Sequence, residues 1–292
     1  MSTYHDFIKD WNFSEPGETR QKFLVHLENA RGAKAFDLAY EIQTQVARTF
    51  GLEYNFGEAH RILDEVEEAL NQDISSKVRV RYYLERGRTF NSSKNVEKAM
   101  ECFEKAVHFA KNFKEEFLEV DALHMMAIVE KDPLKQIEWN EKAIKVAENS
   151  IDEDTRNWLG PLLNNTGWSF HNLKDYTKAL RLFEKALEFR RIQGNPVTIA
   201  IAMWCVARVH RSLNNIDKAL ELQLEVNRYR DHNKLEKGGY NYEELGELYL
   251  MKEDEGLAQE HFRLAYELLS QDKWLVNDEP ERLDRIKKLG GL

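Results

Sequence analysis

The chain has 292 residues, 32% of them charged and 42% apolar, with 5 Pro, 14 Gly and a formal net charge of -9. That balance suits soluble amphipathic helices, and no apolar run approaches the ~20 residues that span a bilayer. A pI near 5.6 disfavours long-range attraction to nucleic acid. Met1 to Asp10 lacks the basic-then-apolar order of a secretory signal, so a cytoplasmic location is expected. Cys102 and Cys205 lie far apart without metal-ligand spacing and read as reduced packing residues.

In chain order, residues 1–33 form a capping region. Ser14 or Glu15 precedes Pro16 as a helix start, and Phe23, Leu24 and Leu27 then recur at helical spacing. Residues 34–272 carry six copies of one helical-hairpin pattern. The first has Ala47, Phe50, Ala59, Leu63 and Val66, and the second Gly87, Phe90, Ala99, Phe103 and Ala106. The third is carried by His124, Ala127 and Ala143, and the fourth by Gly167, Phe170, Ala179, Phe183 and Ala186. The fifth has Ala207, His210, Ala219 and Val226, and the sixth Gly246, Tyr249, Ala258, Phe262 and Ala265. Ahead of the fourth, Gly160 and Pro161 imply either a helix that starts near Pro161 or a longer one from about Asp154 that kinks there. Residues 273–292 form a second cap. Trp274 opens it, Asp278, Glu279 and Pro280 offer a helix start, and Leu283, Ile286 and Leu289 make its apolar stripe.

A small residue followed three positions later by an aromatic one, with a second apolar stripe about a dozen residues on, resembles the tetratricopeptide repeat. The first-helix positions of the six copies are separated by 40, 37, 43, 40 and 39 residues, longer than the ~34 of the standard repeat. The excess implies helices lengthened by a turn or longer connections, similar to the repeats of kinesin light chains. Leu162, Leu163, Asn164, Asn165, Thr166, Gly167 and Trp168 look like the paired-asparagine stretch of that repeat type. Leu84–Arg88, Asp121–Met125 and Glu243–Glu247 resemble segments of stand-alone bacterial tetratricopeptide proteins. The resemblance covers nearly everything from Trp11 to Gly291. It implies an all-α, right-handed superhelical solenoid of about six hairpins with a capping helix at each end.

In the fifth copy Met203, Val206, Ala207 and His210 share one buried stripe, which leaves Trp204, Arg208 and Arg211 on a second. The resemblance implies that this second stripe of each first helix lines a concave groove. The groove set is then Arg48, Arg81, Arg88, Asn91, Asn164, Trp168, His171, Trp204, Arg208 and Arg211. Glu41, Thr44, Asp121, Met125, Tyr240, Glu243 and Glu247 lie on the same stripe. Five arginines against four carboxylates make it less acidic than the rest of the chain, although such charges also neutralise one another on a solvated face. Trp168 and Trp204 are binding anchors or core residues. Asn164 can donate to and accept from a peptide backbone or bond a neighbouring helix; Asn165 is assigned a structural role. No lysine falls on the stripe, so the Lys–Asn–Arg carboxylate clamp of some relatives is incomplete.

No phosphate-cradling loop, zinc-binding histidine pair, serine elbow or dinucleotide glycine pattern occurs. The nine histidines are scattered, with His124 and His210 on the buried stripe as satisfied core residues. The expected function is therefore non-enzymatic, without metal or cofactor. The expectation is a protein-interaction scaffold whose groove takes a peptide or helix of another protein, with acidic groups meeting its arginines. The alternatives are a peptide-sensing regulator that acts through a partner, and self-association through an end helix.

Overall fold

The computed structural model describes residues 7–71 and 74–292, apart from the side chains of 273 and 274, so the expectation for Trp274 lies outside the described residues. It contains α-helices and one short 3-10 turn, Ile8–Asp10, and no β-strand among the described residues. Two compact units divide the chain, Met1–Trp158 and Leu159–Leu292.

In the first unit α1 (Pro16–Gly32) packs on the hairpin of α2 (Phe36–Leu52) and α3 (Phe56–Ala69). Next come α4 (Ser76–Ser92) with α5 (Val96–Phe113), then α6 (Glu116–Val129) with α7 (Pro133–Asn149), and the one-turn α8 (Glu153–Arg156). The second unit pairs α9 (Leu159–Asn172) with α10 (Tyr176–Gln193), α11 (Pro196–Ser212) with α12 (Ile216–His232), and α13 (Gly239–Met251) with α14 (Glu255–Leu269). It ends in α15 (Lys273–Asp278) and α16 (Pro280–Leu289). The fold is an all-α helical repeat of six hairpins. Many helices reach 17 or 18 residues, which accounts for the long repeat interval, and α8 occupies the widest step.

Five of the six hairpins turn on the same local chemistry. Tyr54, Lys94, Lys174, Asn214 and Glu253 take left-handed φ between their two helices. The next helix then starts on an Asn or Asp. The side-chain oxygens of Asn55, Asn95, Asp175 and Asp254 accept backbone N–H bonds from Glu58, Lys98, Lys178 and Leu257, satisfying donors that a helix start leaves unpaired. The third hairpin uses Asp132 ahead of Pro133 instead. Pro161 stands in the first turn of α9, where its missing N–H removes no helical bond, so of the two expectations the helix start applies.

The repeat signature has a steric cause. A Cβ on Gly87 would lie 2.5 Å from the buried ring of Phe103, on Gly167 2.7 Å from Phe183, and on Gly246 2.9 Å from Phe262. The two helices approach until the aromatic ring of the second fills the space over the glycine of the first. These phenylalanines are fully buried. At the ends, Phe23 and Leu27 of α1 are buried, with Phe7 and Trp11 edge-on to Phe23. Leu24, expected on the same stripe, is exposed, since the buried residues Thr19, Phe23, Leu27 and Ala30 recur at three and four and leave it to one side. Ile286 of α16 is buried against the cluster around Phe262.

Candidate functional site

The expected groove residues fall into two groups, one in each unit. In the first, α2, α4 and α6 lie side by side and present an ionic network. Glu85 of α4 is completely buried, and its Oε1 accepts from Gln45 Nε2 at 3.0 Å and from Arg88 Nη1 at 2.8 Å. Arg88 also pairs with Asp121 of α6. Gln45 in turn accepts from the indole of Trp11 at 3.2 Å. Arg48 lies over the stacked rings of Trp11 and Phe13, 5.5 and 5.2 Å from their centres, and its nearest carboxylate oxygen, Glu85 Oε1, is 3.6 Å away. Arg48, Arg88, Asn91 and Met125 line one cavity of about 230 Å³, together with Leu52 and Glu85. Arg81 faces a different cavity of about 550 Å³, which Lys77 lines one turn earlier.

Burial dominates the electrostatics here. It pulls the Arg48 guanidinium down to about 10, with Arg88 adding repulsion. Burial acts on Arg88 in the same sense, but Asp121 and Glu85 outweigh it and raise the group. Burial would raise Asp121, yet Arg88 holds it below the usual carboxylate range.

In the second unit α9, α11 and α13 carry an aromatic floor with a charged end. Trp168 and Trp204, both half-buried, stand 5.9 Å apart, and Trp168 also touches the core ring of Phe183 at 5.1 Å. Trp204 Nε1 donates to the Tyr240 carbonyl at 3.2 Å. One turn before Trp204, Ile201 is 49% exposed, and Val197, another turn earlier, is exposed too. Asn164 accepts from the Cys205 thiol of α11 at 3.2 Å, while its amide nitrogen has no partner among the described residues. At the charged end Glu244 accepts from Arg211 Nε and Nη2 at 2.7 and 2.8 Å and forms an ion pair with Arg208, 2.9 Å from its Nε. Ser212 Oγ links Arg208 Nη1, at 2.7 Å, to His171 Nε2, at 2.8 Å. Burial, then Arg208 and Arg211, lowers His171 to about 4.

Several expectations change on this geometry. Glu41, Thr44, Asp121 and Glu243 are buried, Asp121 paired with Arg88 of α4 and Glu243 with Arg282 of α16. Glu85 and Glu244, absent from the expected stripe, are partners of its arginines, so the arginine excess is lost in both units. Lys77 is a lysine beside Arg81 where none was expected. His124 is half-buried with an unpartnered Nδ1 beside Trp158, and His210 is half-exposed; neither is a satisfied core histidine. Asn165 shows no side-chain hydrogen bond among the described residues, so it has no visible structural role. Glu85 stands three residues before Arg88 on its own helix, a spacing the sequence shows, whereas α13 carries no arginine and Glu244 meets those of α11. The cysteines are free; burial raises Cys205 to about 12 and Cys102 to about 11, which leaves both as unreactive thiols. Among the described residues no cluster of His, Cys, Asp or Glu could hold a metal ion, and no helix is long and apolar enough to cross a membrane.

Comparison with known proteins agrees with this architecture. Residues 80–113 and 162–192 match two models of the tetratricopeptide repeat. No curated protein matches the sequence. Among solved structures, RapI without ligand aligns over 97% of this chain and 85% of its own, with TM-score 0.68 and 12% identity. NprR, solved in complex with its cognate peptide NprX, aligns over 97% of this chain and 84% of its own, with TM-score 0.59 and 12% identity. A kinesin-light-chain repeat protein of Podosopora anserina covers 72% of this chain and 98% of its own, with TM-score 0.56 and 16% identity. At such identities the likeness is one of fold. Together with the two repeat matches and the glycine–phenylalanine lock of the hairpins, it shows a tetratricopeptide-repeat fold, with family models matching two of its repeats.

Proposed function

We propose that the chain is a protein-interaction module whose α9, α11 and α13 face binds a peptide segment of another protein. The observation that carries this reading is the coincidence on one face of two half-buried tryptophans, exposed Ile201 and the amide nitrogen of Asn164, unpaired among the described residues. Aromatic side chains fixed by core packing lose little entropy when a partner covers them, and such residues dominate binding energies. The Asn164 amide can donate to a main-chain carbonyl without reading a side chain. The arginines are a weaker basis for recognition, since Arg208 and Arg211 are already paired with Glu244. NprR has a similar fold and was solved with a peptide, which makes peptides the first ligands to try.

Selection from a displayed random-peptide library tests this. Immobilised wild-type protein is expected to enrich related sequences that Ile201→Asp does not retain. Enrichment of the same sequences by both proteins would remove the face from the account.

A further inference from the structure

Arg86 of α4 is buried and closes the joint between the first and second hairpins with all its donor nitrogens. Its Nη2 pairs with Asp64 and, at 3.5 Å, with Glu67, both exposed on α3. Its Nε donates to the Tyr82 hydroxyl at 3.3 Å. Its Nη1 lies 2.9 Å from Nδ1 of half-buried His60 and donates to the His60 carbonyl at 3.3 Å. A guanidinium N–H can only donate, so His60 Nδ1 is the acceptor and the ring's proton sits on Nε2. The contact therefore exists only while His60 is neutral.

We infer that Arg86 and His60 form a clasp between α3 and α4 that opens when His60 takes a proton. Protonation sets a second cation 2.9 Å from the guanidinium, and neither group can then accept. The charges acting on His60 are Arg86 of α4, Lys98 of α5 and, against them, Asp64 of its own helix; α2 contributes none among the described residues. Lys98 stands over the Phe90 ring, which tilts against His60. The protonated imidazole draws on Asp64, one turn along α3, and so competes with Arg86 for its nearest carboxylate. Burial first, and then Arg86, holds His60 below the usual 6.5. The change is confined to the α3 side of the joint, because α2 meets α4 through Gln45 and Glu85 and neither of those helices contains a histidine. The inference stands on the first unit alone and does not depend on the proposal for the α9, α11 and α13 face.

NMR of the imidazole nitrogens and hydrogen exchange of the full chain, at matched ionic strength, provide the test. The His60 ring, identified by its absence from His60→Gln, is expected at pH 7.5 as the Nε2–H tautomer. Its titration midpoint should lie below 6.5 and rise in Arg86→Gln. The opening of α3, read from amide exchange after correction for the intrinsic effect of pH, should increase about threefold to thirtyfold from pH 7.5 to 5. The upper figure belongs to a histidine of ordinary basicity that the closed form keeps wholly neutral. His60→Gln keeps a side-chain acceptor for Arg86 and has nothing to titrate there, so its α3 should lose that increase, while the effects of other titrating groups stay common to both proteins. An Nδ1–H tautomer, a midpoint at or above 6.5, a midpoint unmoved in Arg86→Gln, or an equal pH response of α3 in wild type and His60→Gln would overturn the inference.

Discussion

Glycine within a helix normally costs about 1 kcal/mol relative to alanine, yet here the same residue type has opposite roles at different sites. Gly167 makes room for Phe183, so the added methyl of Gly167→Ala meets a fully buried ring and the overpacking outweighs the propensity gain. Chemical denaturation should show a loss of about 1–3 kcal/mol for Gly167→Ala. Gly57, in the first turn of α3, has nothing within 4 Å of the place an added methyl would take, and Gly57→Ala should instead raise stability by a few tenths of a kcal/mol. Stabilisation by Gly167→Ala would contradict the packing account. His171 gives a pH signature of its own. The folded chain holds it neutral down to about 4, whereas an unfolded histidine takes its proton near 6.5. Between those values the unfolded state binds more protons, so this contribution to stability is whole above about pH 6.5 and is lost as pH falls toward 4. The fall in melting temperature from pH 7 to 4.5 should be shallower in His171→Gln than in wild type; parallel curves would contradict the shift.

Between elements, ion pairs differ by burial more than by distance. Glu244 is 4% exposed and takes two hydrogen bonds from Arg211 and an ion pair with Arg208, tying α11 to α13. Glu244→Gln leaves two guanidiniums without their counter-charge, and a destabilisation of about 2 kcal/mol is expected, below the cost for a fully buried pair. Arg285 pairs with Glu247 from a half-exposed position, and Arg285→Ala should change stability by less than about 1 kcal/mol. Equal effects would show that burial is not what separates them. The elements themselves were legible in the sequence, because the glycine–phenylalanine spacing follows directly from a hairpin's close approach and the asparagine or aspartate caps mark the helix starts. Side-chain partnership was not. Glu85 and Glu244 stand beside the arginine stripes, but which acid meets which arginine depends on the neighbouring hairpin, a relation that no single-helix periodicity contains. The place of Lys77 is hidden for the same reason, and so is the exposure of Ile201, which adjoins the buried stripe.

For the whole molecule, the stacking hairpins bring first-helix side chains together, and in a chain of net charge -9 they pair Arg88 in one unit and Arg208 and Arg211 in the other. Trp168 and Trp204 are fixed by the core and still partly accessible: one ring rests on Phe183, the other is held by Tyr240, and both remain half-buried. The most direct test is calorimetric titration of a library-selected peptide into wild type, Ile201→Asp and Ile192→Ala. Both substitutions lie at exposed positions, but Ile192 stands at the end of α10 and not on α9, α11 or α13. The account predicts at least about a tenfold loss of affinity for Ile201→Asp, as expected for a charge placed under a covered apolar contact, with Ile192→Ala unchanged. Equal affinity for wild type and Ile201→Asp would contradict it.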